Sequence, residues 1–202
     1  MIADLPPGAT LDDVSANKED VGTQKIWQFR SPKNYAFAVQ TNRLAITSEY
    51  HKTYNLGQGD RFREVIQYVM DAFLSVTGVP ILTRIGLRYL DECPLPAKDN
   101  VSLSSYYDTS FPLSRFSIAD ATEMRFQTVV KTQDAFFRYA ETLLNMADGS
   151  NKLLLDFDGF REKISARDYL AVTDQLHNII SDEFEKTIKQ PVYDFMRKPR
   201  GA

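Results

Sequence analysis

Apolar and polar residues alternate in three short runs near the start of the chain. KIWQFRS sets Trp27 and Phe29 on one face of an extended segment, NYAFAVQT does so with Tyr35, Phe37 and Val39, and RLAITSEYH with Leu44, Ile46, Ser48 and Tyr50. A Pro-Lys-Asn turn and a turn at Asn42 and Arg43 join them, short enough for the hairpins of a meander. The period then changes. Phe62, Val65, Ile66, Val69, Met70 and Phe73 recur at helical spacing, after a loop with Gly57 and Gly59 and an N-cap at Asp60. Gly78 and Pro80 end this helix near Thr77. Period 2 returns in TRIGLRYLDECPLP, residues 83–96, where Ile85, Leu87 and Tyr89 alternate with Arg84, Gly86 and Arg88.

Prolines, serines and an Asp-Asn pair mark a long connection over 97–112. Beyond it SRFSIAD, TEMRFQTVVKT, AFFRYAETLLNM and NKLLLDFDGF alternate as strands, with a turn at Asp148 and Gly149 before the last. Ser165 and Asp168 have the spacing of a capping box, and Tyr169, Val172, Leu176, Ile179, Ile180, Phe184 and Ile188 form the stripe of a second long helix that stops before Pro191. The expected class is α+β: antiparallel meanders each followed by a long amphipathic helix. A two-fold internal repeat is one origin of that order, and two unrelated meander-plus-helix units are the other. The expected division is an extended lead-in at 1–23, a first half at 24–96, a connecting loop at 97–112, a second half at 113–196 and a basic tail at 197–202.

Composition narrows the classes. With 43% hydrophobic and 12% aromatic residues the 202-residue chain can build a core. A net charge of −3 gives no global attraction to phosphate backbones or anionic lipid, so nucleic acid is disfavoured as a partner. No apolar run approaches the roughly 20 residues that span a bilayer, and the N-terminus has no signal-peptide pattern, which points to the cytoplasm and away from a membrane. A single cysteine, Cys93, excludes an intramolecular disulfide and a multi-cysteine zinc site.

The chemistry-bearing positions are few. Arg84 and Arg88 lie on one strand face with backbones roughly 13 Å apart, and Gly86 between them leaves a bare floor. Two guanidiniums so placed can grip an elongated anion or a partner's carboxylates. They can equally pair with acids of the same chain, Asp156, Asp158 and Glu123 being the candidates. Asp156 and Asp158, about 7 Å apart on one strand face, are weak candidates for a divalent cation or an acid/base pair, against a solvated strand end entering a turn at Gly159. His177 sits beside the apolar stripe of the last helix, and His51 follows a strand end. Either could serve a ligand site or be structural. GQGD at 57–60 lacks the lysine and Ser/Thr of a phosphate loop, and no GxSxG elbow occurs.

RIGLRYLDECPLP, preceded by a meander carrying WQFRS and a helix closed by Gly78, resembles a sporadically distributed bacterial family of uncharacterised proteins. That family's recurrent strand reads Arg-Ile-Gly-x-Arg-Tyr followed by an acidic or amide residue, here Arg84, Ile85, Gly86, Arg88, Tyr89 and Asp91. His177 and Phe184 match its pattern in the last helix, and the resemblance covers residues 24–196. It implies no assigned activity, and no cofactor is expected from the sequence. It also implies an N-terminal strand region that this chain lacks. The expected function is a non-enzymatic protein-interaction or regulatory module that binds another protein or itself, as a homodimer through an exposed sheet edge. The alternative is a small-anion or nucleotide-binding protein, or an enzyme, that uses an arginine-lined groove on the 83–92 strand with His51 or His177. A metal-dependent nuclease built on Asp156 and Asp158 is the residual reading.

Overall fold

The computed structural model describes residues 26–31, 35–51, 53–54, 61–132 and 134–197. The 1–23 lead-in, the Pro-Lys-Asn turn, the loop with Gly57 and Gly59, the Asp60 cap and the end of the basic tail lie outside them. The chain divides into two compact units at Val79 and Pro80. Among the described residues no helix is long and apolar enough to cross a membrane.

In the first unit β1 (Trp27–Arg30), β2 (Tyr35–Val39) and β3 (Leu44–Ser48) form the antiparallel meander that the alternation requires. Its register sets Phe29 opposite Phe37 and Phe37 opposite Ile46, so the apolar members share one face. Helix α1 (Phe62–Thr77) buries Ile66, Val69 and Met70, and its Val65 and Val69 enclose a space of only about 10 Å³ with Phe29, Phe37 and Ile46. Gly78 adopts a left-handed φ of 61° and donates its N–H to the Leu74 carbonyl at 2.9 Å, which ends the helix where the sequence places its end.

The second unit holds a four-stranded antiparallel sheet of order β4-β7-β6-β5. Its strands are β4 (Ile81–Leu95), β5 (Arg125–Thr132), β6 (Ala135–Asn145) and β7 (Asn151–Ser165). Strands β5, β6 and β7 run consecutively as a second meander, and helix α3 (Tyr169–Thr187) follows them after a single 3₁₀ turn over Ala166–Asp168. The order meander then helix thus recurs in both units, and the class is α+β. Leu153, Leu155 and Phe157 of β7 are fully buried on the face that α3 covers. A Cβ on Gly159 would lie 3.3 Å from Leu176 Cδ2, so the helix sits directly against that glycine.

Five features differ from the sequence expectations. The expected division at 97–112 gives way to one at 79/80, because β4 pairs with β7 from Ile81 opposite Ser165 to Leu95 opposite Asn151. The connection itself holds a short helix, α2 (Asn100–Tyr106), which Asp99 caps by accepting the Ser102 N–H at 2.7 Å. SRFSIAD is a loop and not a strand. Asn100 holds it, donating to the Leu113 and Phe116 carbonyls and accepting the Ile118 N–H at 2.9 Å, so one side chain supplies what a partner strand would. Finally, β7 runs straight through Gly159, and the tail past Pro191 is a helix, α4 (Gln190–Arg197), whose Val192 is fully buried. Proline fits its first turn, where the missing N–H would have had no partner.

Candidate functional site

Strand parity assigns Arg84, Arg88, Arg138, Asp156 and Asp158 of the second sheet to the face opposite α3. Arg88 lies opposite Asp158 in the β4–β7 ladder, Arg138 lies opposite Asp158 in the β6–β7 ladder, and Gly86 lies opposite Phe160. The side chains interlock along the diagonals of this ladder. Arg88 grips Asp156 with both prongs, Nε to Oδ1 at 2.7 Å and Nη2 to Oδ2 at 2.8 Å. Arg138 donates to the same carboxylate at 3.2 Å and reaches Asp158 at 3.6 Å. Arg84 meets Asp158 at 3.4 Å and lays its guanidinium 4.1 Å above the centre of the Phe160 ring, which in turn stacks on Phe136. Asp156 raises the pKa of Arg88 through that hydrogen bond. Three guanidiniums therefore share two carboxylates.

The structure brings together Arg84, Gly86, Arg88, Asp156 and Asp158. Glu123 takes no part. Arg138, which the sequence reading overlooked, completes the group. The two aspartates face guanidiniums, and among the described residues no cluster of three or more His, Cys, Asp or Glu is placed to hold a metal. The arginines still face outward, with about half of each β4 guanidinium side chain exposed. Gly86 is not forced by sterics: a Cβ there would make ordinary contacts of 3.4 Å or more.

The two histidines do not join this group. His51 belongs to the first unit, where its Nδ1 lies 2.6 Å from Ser48 Oγ and its ring packs among Tyr35, Tyr50 and Phe62. His177 is on the covered face of the second sheet. Its Nδ1 lies 3.0 Å from the Tyr89 hydroxyl, and burial lowers its pKa, partly countered by Asp174. Along the same face of β4, burial raises the pKa of the Asp91 carboxyl and pushes the Cys93 thiol up to about 12, with the Asp91 charge adding to the second shift.

A second acidic group was not anticipated. Glu141 is fully buried and accepts from the Tyr139 hydroxyl at 2.7 Å, the Ser110 N–H at 2.8 Å and the Thr109 hydroxyl. Its partners Thr109, Ser110 and Tyr139 line a cleft of about 500 Å³ between β5, α3 and residues 108–110, which also carries Asp108, Asp182, Glu183 and Lys186. The signal was present in the sequence, since Glu141 is the one charged residue in the inward series Phe137, Tyr139, Glu141, Leu143.

The outer side of β4 completes the picture. This strand is the edge of its sheet, fifteen residues long, and among the described residues no strand pairs with that side. Leu90 is 57% exposed and Ile81 59% exposed. The chain matches no family model, no curated protein and no solved structure.

Proposed function

We propose that this chain is a non-enzymatic protein-interaction module whose contact surface is the outer edge of β4 and the charged sheet face beside it. The observation that carries this reading is the edge itself: a long strand with apolar side chains exposed on it and, among the described residues, no strand on its outer side is a template for backbone pairing with another chain. The charge arrangement supports it over an anion site. Arg88 and Arg84 have carboxylates of their own chain as partners, so a phosphate would have to compete with Asp156 for the same donors. What favours the alternative, a small anion or nucleotide held between the two arginines, is the exposure of their outer sides.

A thermal-shift screen of the full chain against inorganic phosphate, nucleoside phosphates, Mg²⁺ and Zn²⁺ separates the two. The expected result is no shift with any of them. A saturable rise with phosphate or a nucleotide that disappears in Arg88→Ala would replace the interaction reading with the anion-binding one.

A further inference from the structure

The geometry points to a second copy of this chain as the occupant of the β4 edge, paired antiparallel with the two-fold axis at Leu90. This rests on the reading of β4 as a binding edge and names its partner. The strand is polar in charge along its length: Arg84 and Arg88 lie in its first half, Asp91 and Glu92 in its second. Antiparallel self-pairing sets the basic half of one copy against the acidic half of the other.

The register follows from what each alternative would juxtapose. Centring on Leu90 puts Arg88 opposite Glu92 of the partner subunit twice, and Leu90 opposite its own copy. Centring on Arg88 also matches Arg84 with Glu92, but it sets Arg88 against itself. Centring on Gly86 sets Arg84 against Arg88, and centring on Leu87 or Tyr89 brings no opposite charges together. Like charges directly opposite are destabilising and unlike charges stabilising, so the Leu90 register alone among these gains the second without the first. The side chains have capacity for the contact: Arg88 uses Nε and Nη2 on Asp156 and leaves Nη1, and Glu92 uses one oxygen on Lys152. The backbone agrees. The Met146 N–H bonds the Ser150 carbonyl, so even-numbered residues of β7 direct their backbone groups to β6 and odd-numbered ones to β4, and the even-numbered residues of β4 from Arg84 to Pro94 direct theirs to the outer edge. Leu90 would then meet its copy as a hydrogen-bonded pair, each exchanging its N–H and carbonyl with the other. The opposite edge of the sheet is built against this. In β5 the charged residues are Arg125 and Lys131, so self-pairing there offers no opposite charge in any register.

Light scattering and sedimentation equilibrium on the full chain test the proposal, with a reversible dimer expected at micromolar to millimolar protein. Leu90→Asp should weaken it about tenfold, through the lost apolar pair and two facing carboxylates, and leave the melting of the monomer unchanged because the site is exposed. Leu90→Cys should form a disulfide-linked dimer under mild oxidation, since facing Cα atoms about 5.5 Å apart lie within the range of the bond. Ile81→Cys, as exposed but far from the axis, should not. Cys93 is buried with its thiol well above neutrality, so the background is clean. A monomer throughout the range, species larger than a dimer, or an Ile81→Cys variant that cross-links as fast as Leu90→Cys would each overturn the self-pairing. None of these touches the broader interaction reading, which fails instead on a phosphate- or nucleotide-dependent shift lost in Arg88→Ala.

Discussion

On the covered face of the four-stranded sheet Glu141 is fully buried and meets only neutral donors, whereas on the open face, across from the adjacent Ala140, Asp156 is met by two guanidiniums. The two arrangements solve the same problem with different materials. A carboxylate removed from water must recover its lost hydration as hydrogen bonds. Glu141 does so from a tyrosine hydroxyl and from the loop at 109–110, and in doing so it ties that loop to the sheet. Asp156 does so from arginines on the two strands that flank β7, and ties β4 and β6 to it. The first is an anchor that water does not reach. The second is a ladder that water and a partner can reach.

The two acids should therefore differ in what their loss costs. Glu141→Ala should be the most damaging change, destabilising the chain by about 3 kcal/mol, because it leaves the buried Tyr139 hydroxyl without this acceptor and unties the loop donors of Thr109 and Ser110 from the sheet. Urea unfolding followed by circular dichroism gives the value, and a cost under about 1 kcal/mol would mean that the loop is held by something else. The next effect belongs to the open face. Asp156→Ala should cost about 2 kcal/mol, since Arg138 is only 22% exposed and loses its nearer partner. Arg84→Ala should stay within about 0.5 kcal/mol, its pair with Asp158 being long and half exposed. Equal costs for these two variants would show that the ladder is not graded by burial.

The contrast also explains which parts of the molecule were legible in the sequence. Strand parity is local, so the separation of Ile85, Leu87 and Tyr89 from Arg84, Gly86 and Arg88 could be read directly, as could the close of α1 at Gly78. The pairing of β4 is not local. Its partner lies some seventy residues further on, and nothing within 81–95 distinguishes pairing with β7 from pairing with the first meander. The unit boundary depends on that pairing. Asp156 and Asp158 share a face by parity alone, but Arg138 joins them only through the β6–β7 register that sets it opposite Asp158, which the alternation of AFFRYAETLLNM does not specify. SRFSIAD misled for the opposite reason: its alternation is genuine, yet Asn100 satisfies its backbone before any strand can.

The smallest expected effect lies on the covered face, at His177. Burial lowers its pKa in the folded state below the usual value of about 6.5. Over the interval between the two values the unfolded chain therefore binds more protons than the folded one, and stability rises with pH there. The contribution is fully present above about 6.5 and is lost as the pH falls through the lowered folded value. Asp91 works the other way at lower pH, because a carboxyl whose pKa is raised by burial lets the folded state take up a proton more readily. The quantity to measure is thus the difference between the wild type and His177→Gln, which keeps a polar group for the Tyr89 hydroxyl and removes the titration. Stability curves of the two proteins should converge as the medium is acidified from neutrality. A pH-independent gap between them would mean that His177 is as hydrated in the folded chain as in the unfolded one, and that the covered face is wetter at α3 than its packing implies.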